Sequence, residues 1–179
     1  MMCLDIYLAY IGDEEYRRVK HKVRPLHFKP HPVMSRGILC DSPEPVTDRE
    51  YDLKTLRMFY EKYLWQINLE KTLSEDYGSL VLTDARQTIQ WVSDGFKSMT
   101  GYDPAEAIGH SPKFLQGKNT SLLSRKRLRK GLASGKPFTG SIINYRKSGE
   151  AYVCRVQVFP VFDNKNILTH FLALEKEVS

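Results

Sequence analysis

The chain is poor in the features that would place it in a membrane, in an oxidising compartment or around a structural metal. None of its 179 residues belongs to an apolar run approaching the ~18 that span a bilayer, so no transmembrane helix is expected. Residues 1–10 are short, carry Asp5 and lack a basic leading segment, which makes a poor secretory signal. Cysteine occurs only at Cys3, Cys40 and Cys154, odd in number and with no C-x-x-C pair. That excludes a disulfide framework and a closed zinc site, and free thiols fit a reducing cytoplasm. The motifs of enzymes are also missing. There is no P-loop, no H-E-x-x-H and no kinase signature. His110 and Ser111 are adjacent, but no nucleophile elbow surrounds them. A non-catalytic cytoplasmic protein is the expectation.

What is present is ordinary globular composition, with 41% hydrophobic and 27% charged residues. The net charge of +6 is uneven. Residues 1–76 hold 12 Lys/Arg against 13 Asp/Glu, and residues 77–179 hold 15 against 8. Arg125, Lys126, Arg127, Arg129 and Lys130 supply most of that excess as one patch. No aromatic residue interleaves the patch and no helix-turn-helix partner accompanies it. An acidic protein is therefore the expected partner rather than nucleic acid, and no membrane contact is expected.

Three segments follow from pattern. Residues 1–46 form an N-terminal extension. Leu4, Tyr7, Leu8 and Ile11 repeat at helical spacing, and Pro25, Pro30, Pro32, Pro43 and Pro45 then enforce loop-like chain. His21, His27 and His31, with Cys40 or Cys3, match no zinc spacing and read as surface residues. Residues 47–76 form an amphipathic linker, read as one helix over about 48–73. Leu53, Leu56, Tyr60, Tyr63 and Ile67 follow each other at spacings of 3 and 4, a two-heptad seam. The seam serves either intramolecular packing or a homodimer.

Residues 77–179 read as one α+β domain. Residues 78–84 and 87–93 are β-rich runs joined by a hairpin at residues 84–86. Residues 94–100, 103–108 and 121–133 read as short helices. Gly101, Gly109 and Gly135 stop them, and the second carries a capping pattern of Asp103, Pro104 and Glu106. Residues 138–145, 151–159 and 167–175 are three further strands. A five-stranded antiparallel sheet with short helices on one face is the economical packing.

Three motifs in this region carry a family resemblance. Phe96 to Tyr102 follows F-x-x-x-T-G-Y. The loop over 109–117, Gly-His-Ser-Pro-Lys-Phe-Leu-Gln-Gly, is similar to G-R-N-C-R-F-L-Q-G. Residues 144–149 follow N-Y-x-K-x-G. Together they resemble the PAS domain family, in its LOV branch. That resemblance implies a sensory fold with a flavin pocket on one sheet face. It implies ring-edge contacts at Gln116, Asn144, Cys154 and Glu175. It also implies phosphate contacts at Lys113 and Arg129.

Several of those positions depart from the family. The loop cysteine that attacks the flavin after blue-light excitation corresponds to Pro112, which has no nucleophile. The ring-contacting asparagine and glutamine of the last two strands correspond to Cys154 and Glu175, and the ribityl-contacting asparagine to Ser111. Each lost hydrogen bond costs about 0.5–1.5 kcal/mol, so two or three lower flavin affinity on the order of 100-fold. The expectation is a sensory or protein-interaction module that signals through a partner or its N-terminal segment. No resident cofactor is expected, with FMN the alternative in a photo- or redox sensor that forms no adduct. The cavity is expected to fall below roughly 300 Å³, too small for a flavin ring, with Phe159, Phe171 and Leu172 turned inward.

Overall fold

The structure is a computed structural model that describes residues 48–178. The chain divides into two units, Met1–Ser42 and Pro43–Ser179, and every described residue belongs to the second. The expected helix near Leu4, the proline-rich loop and its histidines lie outside the described residues.

Five strands form one antiparallel sheet: β1 (Ser79–Asp84), β2 (Ile89–Val92), β3 (Phe138–Tyr145), β4 (Ala151–Phe162) and β5 (Leu168–Val178). Their order is β2-β1-β5-β4-β3. Two helices precede the sheet, α1 (Asp48–Tyr63) and α2 (Leu69–Leu73). Between β2 and β3 lie α3 (Asp94–Thr100), α4 (Pro104–Ala107), a 3-10 turn (Pro112–Leu115) and α5 (Leu122–Ala133). This is the five-stranded α+β architecture that the sequence pattern implies.

The local signals act as expected. Asp84 closes the first hairpin, its carboxylate accepting from the backbone N–H of Arg86 and of Thr88 at 2.9 Å each. Gly101 takes a φ of 77°, which ends α3. Pro104 opens α4, and the Glu106 carboxylate accepts from the Asp103 backbone N–H at 3.0 Å. Ser121 caps α5, its hydroxyl accepting from the Leu123 N–H at 3.1 Å.

The linker is the exception. It is not one helix over 48–73. Leu64 adopts a left-handed φ of 51° and α1 stops at Tyr63. Trp65 then bridges to Asp163, and the Gln66 N–H donates to the Phe162 carbonyl at 2.8 Å. Asn68 starts α2 afresh, its side chain accepting from the Lys71 N–H at 2.8 Å. The break lets Trp65 reach the core, where it is 2% exposed.

Each face of the sheet carries its own layer. Leu80, Leu82, Val161, Leu172 and Leu174 pack with Leu56, Trp65, Leu69 and Leu73 of the N-terminal helices. Leu53, Tyr63 and Ile67, also of the heptad seam, pack against the same cluster. That stripe is spent on the chain's own sheet. The other face carries Ile142, Val156, Val158 and Phe171, against which Leu128 and Leu132 of α5 pack.

His170 sits inside the N-terminal layer, its ring 4.4 Å from Tyr63 and 5.1 Å from Trp65 between centroids. Burial holds it below the ordinary histidine range, so it is neutral. The unfolded chain binds this proton first as pH falls, so the layer's stability is present above about pH 6.5 and lost below it. His170→Phe removes that acid-side loss, and thermal unfolding on either side of pH 6.5 measures the difference. Leu56 is fully buried. Leu56→Ala lowers the stability of the unit by about 2–5 kcal/mol in denaturant unfolding.

Candidate functional site

A cavity of about 370 Å³ lies between the second sheet face, α5 and the 3-10 turn. Strand alternation supplies its floor. Val81, Val156, Val158, Phe171 and Ala173 line it from the sheet, and Leu115, Leu128 and Leu132 from the helices. The volume exceeds the expected ceiling, and the register explains why. Phe159 pairs with Leu172, and both face the N-terminal helices. Of the three bulky side chains expected to fill the space, only Phe171 does so.

Polar groups enter this apolar space at defined points. Gln116, Asn144, Glu175, Lys113 and Arg129 all line the cavity. Gln116 and Asn144 meet as an isolated bridge, which ties the 3-10 turn to β3. Glu175 pairs with Ser79 on one side and Val156 on the other, at the centre of the sheet. It is 5% exposed, and its Oε2 has no hydrogen-bond partner among the described residues. Burial pushes its carboxyl up to about 7, so near neutral pH it keeps a proton for much of the time.

Cys154 behaves differently. It shares the cavity face through its pairing with Ile142 but is not among the lining residues. It is fully buried in the adjoining core. Burial, reinforced by the Glu175 charge, pushes its thiol well above the usual range, which makes it unreactive. Pro112 lines the cavity.

Sequence reasoning missed Thr83, Gln87 and Arg125 as lining residues, and it counted Ser111 only as a departure. Arg125 was hidden inside the basic run, although it stands four residues before Arg129 on one helix face. It donates to the Gly117 carbonyl at 3.0 Å, while its buried Nε has no partner among the described residues. The loop it holds is fixed by Thr120, whose hydroxyl accepts from the Gly117 N–H at 2.9 Å and donates to the Ile143 carbonyl at 2.6 Å. Gly117 has no room for a side chain, because a Cβ there would lie 2.4 Å from the Tyr145 ring.

Among the described residues, no group of three or more His, Cys, Asp or Glu could hold a metal ion. No helix among them is long and apolar enough to cross a membrane.

The chain belongs to the PAS domain family, which residues 76–179 match. Its relatives include LOV domains. Phototropin-2 of Oryza sativa subsp. japonica is 33% identical over 114 residues, covering 62% of this chain and 13% of that protein. A blue-light-activated histidine kinase of Brucella abortus (strain 2308) is 34% identical over 91 residues, covering 51% of this chain and 19% of the kinase. The chain thus spans less than a fifth of the length of these curated relatives. The light-state structure of the LOV domain of the blue-light photoreceptor Aureochrome1 superposes with a TM-score of 0.57 at 27% identity, covering 63% of this chain and 90% of that one. The LOV domain of the Erythrobacter litoralis EL346 blue-light activated histidine kinase gives 0.54 at 26% identity, covering 59% of this chain and 98% of that one. The PAS region is a sensory signalling module of the kind these relatives carry.

The unpartnered Glu175 has a measurable cost. Its folded pKa is raised to about 7 from 4.5, so the folded chain binds more protons in that window. Stability therefore falls as pH rises from about 4.5 through 7 and stays low above it. Glu175→Gln removes this decline. Above pH 7 it raises the melting temperature of the ligand-free protein by at least about 2–4 °C, the shift that ~1 kcal/mol gives in a chain of this size.

Proposed function

We propose that the chain is a non-catalytic sensory module whose cavity binds a flavin of the FMN class and that signals without a cysteinyl adduct. The supporting observation is the cavity itself. Its volume of about 370 Å³ falls within the range of small-molecule sites, and a buried Glu175 carboxyl faces it without a partner. The donor set fits the group: an apolar slot for a flat ring, amides and a carboxyl for its polar edge, and Lys113, Arg125 and Arg129 for a phosphate. This reading reverses the expectation of a cavity without cofactor.

A bound flavin supplies light- or redox-responsive chemistry, and the chain's own residues set the conditions for it. Lys113, Arg125 and Arg129 hold the anionic tail through charge-assisted hydrogen bonds. Gln116 and Asn144 orient the ring, and a protonated Glu175 donates to an acceptor on its edge. Leu115, Leu128 and Val158 exclude water. Output passes to a protein partner. Self-association through the linker helix competes with docking of α1, because both draw on Leu56 and Tyr63.

Fluorescence titration of the purified chain with FMN and with riboflavin tests this reading. FMN binds more tightly by about 10-fold or more, the equivalent of at least one charge-assisted hydrogen bond. Lys113→Ala together with Arg129→Ala removes most of that difference. Blue light leaves the bound flavin without adduct bleaching, because Pro112 supplies no thiol. Binding of neither flavin, or equal binding of both, contradicts the reading.

A further inference from the structure

The outward face of α5 plays no part in the cavity. Arg125, Leu128 and Leu132 turn inward. Helical spacing then sends Leu123, Lys126, Arg127 and Lys130 to the opposite side, with Leu122 at the flank of that face, seven residues before Arg129. Leu122 is 80% and Leu123 57% exposed, at the start of the helix just after its Ser121 cap. Lys126, Arg127 and Lys130 are exposed too, and none of the ion pairs among the described residues involves them. Some cations elsewhere are matched, as Arg146 is with Glu177 and Lys147 with Glu106. α5 carries no acidic residue at all, so Lys126 and Lys130, four residues apart, repel each other with no anion within the helix to offset them. An external anion would relieve that repulsion.

We infer that the outward face of α5 is a peripheral docking surface for an anionic lipid bilayer. Leu122 and Leu123 enter the headgroup region, and Lys126, Arg127 and Lys130 rest on anionic headgroups. The leucine pair decides between partners of equal charge. Consecutive side chains on a helix diverge by about 100°, so a protein would have to offer two separate pockets at one helix end. A fluid lipid layer accepts both without preformed shape. Nucleic acid offers the charge but no apolar phase. The expectation of an acidic protein and no membrane rested on a basic patch with neither interleaved aromatics nor a helix-turn-helix partner. It took no account of the exposed pair. Since no described helix can span a bilayer, the contact lies on the surface and is reversible.

The inference is independent of what fills the cavity. Its test is co-sedimentation of the full chain with phosphatidylcholine vesicles, with and without roughly one third phosphatidylserine. The chain pellets with the anionic vesicles and not with the neutral ones, and added salt weakens the binding. Lys126→Glu, Arg127→Glu and Lys130→Glu together weaken it by about 100-fold or more. Leu122→Ser with Leu123→Ser weakens it by about 10-fold or more. Thermal unfolding confirms that the variants fold, and alanine at the three cations replaces glutamate if the reversed set does not. No binding to anionic vesicles overturns the inference. So does a leucine variant that binds like the unaltered chain, which would leave charge alone at work. Equally tight, leucine-dependent binding of a polyglutamate peptide would point to an acidic protein instead.

Discussion

The structure depends on the alternation of one central strand. β5 is hydrogen-bonded on both sides, to β1 and to β4, so neither of its edges is free. Leu172 and Leu174 point to the N-terminal helices, while Phe171, Ala173 and Glu175 point to the cavity. A slip of one residue would exchange these sets. It would drive Glu175 against Leu56 and Leu73 and fill the cavity with leucines. The register therefore fixes the packing of α1 and the shape of the site in a single choice.

Buried polar atoms without partners among the described residues occur on both sides of the sheet, Trp65 Nε1 and His170 Nδ1 in the N-terminal layer among them, and three gather at the cavity. Glu175 Oε2, Ser111 Oγ and Arg125 Nε are all buried without partners among the described residues, and all three residues line the cavity. Orphaned buried groups cost about 1–3 kcal/mol each, and folded proteins keep few of them. Their gathering around one void gives a ligand with donors and acceptors a ready gain. A neutral carboxylic acid at Glu175 can donate through one oxygen and accept through the other. The cavity thus combines a buried carboxyl with the cations Lys113, Arg125 and Arg129.

Much of the fold was legible because its signals are local. The capping pattern of Asp103 and Glu106, the stop at Gly101 and the hairpin at Asp84 each act within a few residues. The end of α1 was not legible from the heptad spacing, which runs on through Ile67. Only Asn68, a helix-starting residue inside an apparent helix, marked the break. The direction of Phe159 and Leu172 was hidden as well, because face assignment depends on strand register rather than composition. The family resemblance carried Gln116, Asn144 and Glu175 to the cavity. It also carried Cys154 there, yet that side chain is closed off in the core beside the cavity. Arg125 went unnoticed because its role depends on which side of α5 meets the sheet.

A crystal structure of the chain grown with FMN tests the central claim most directly. The account predicts the ring against Val156, Val158 and Ala173, its polar edge within hydrogen-bond reach of Glu175 and Asn144, and its phosphate at Lys113 and Arg129. A cavity closed by repacked side chains, with the flavin absent or bound on the outer surface, would contradict it.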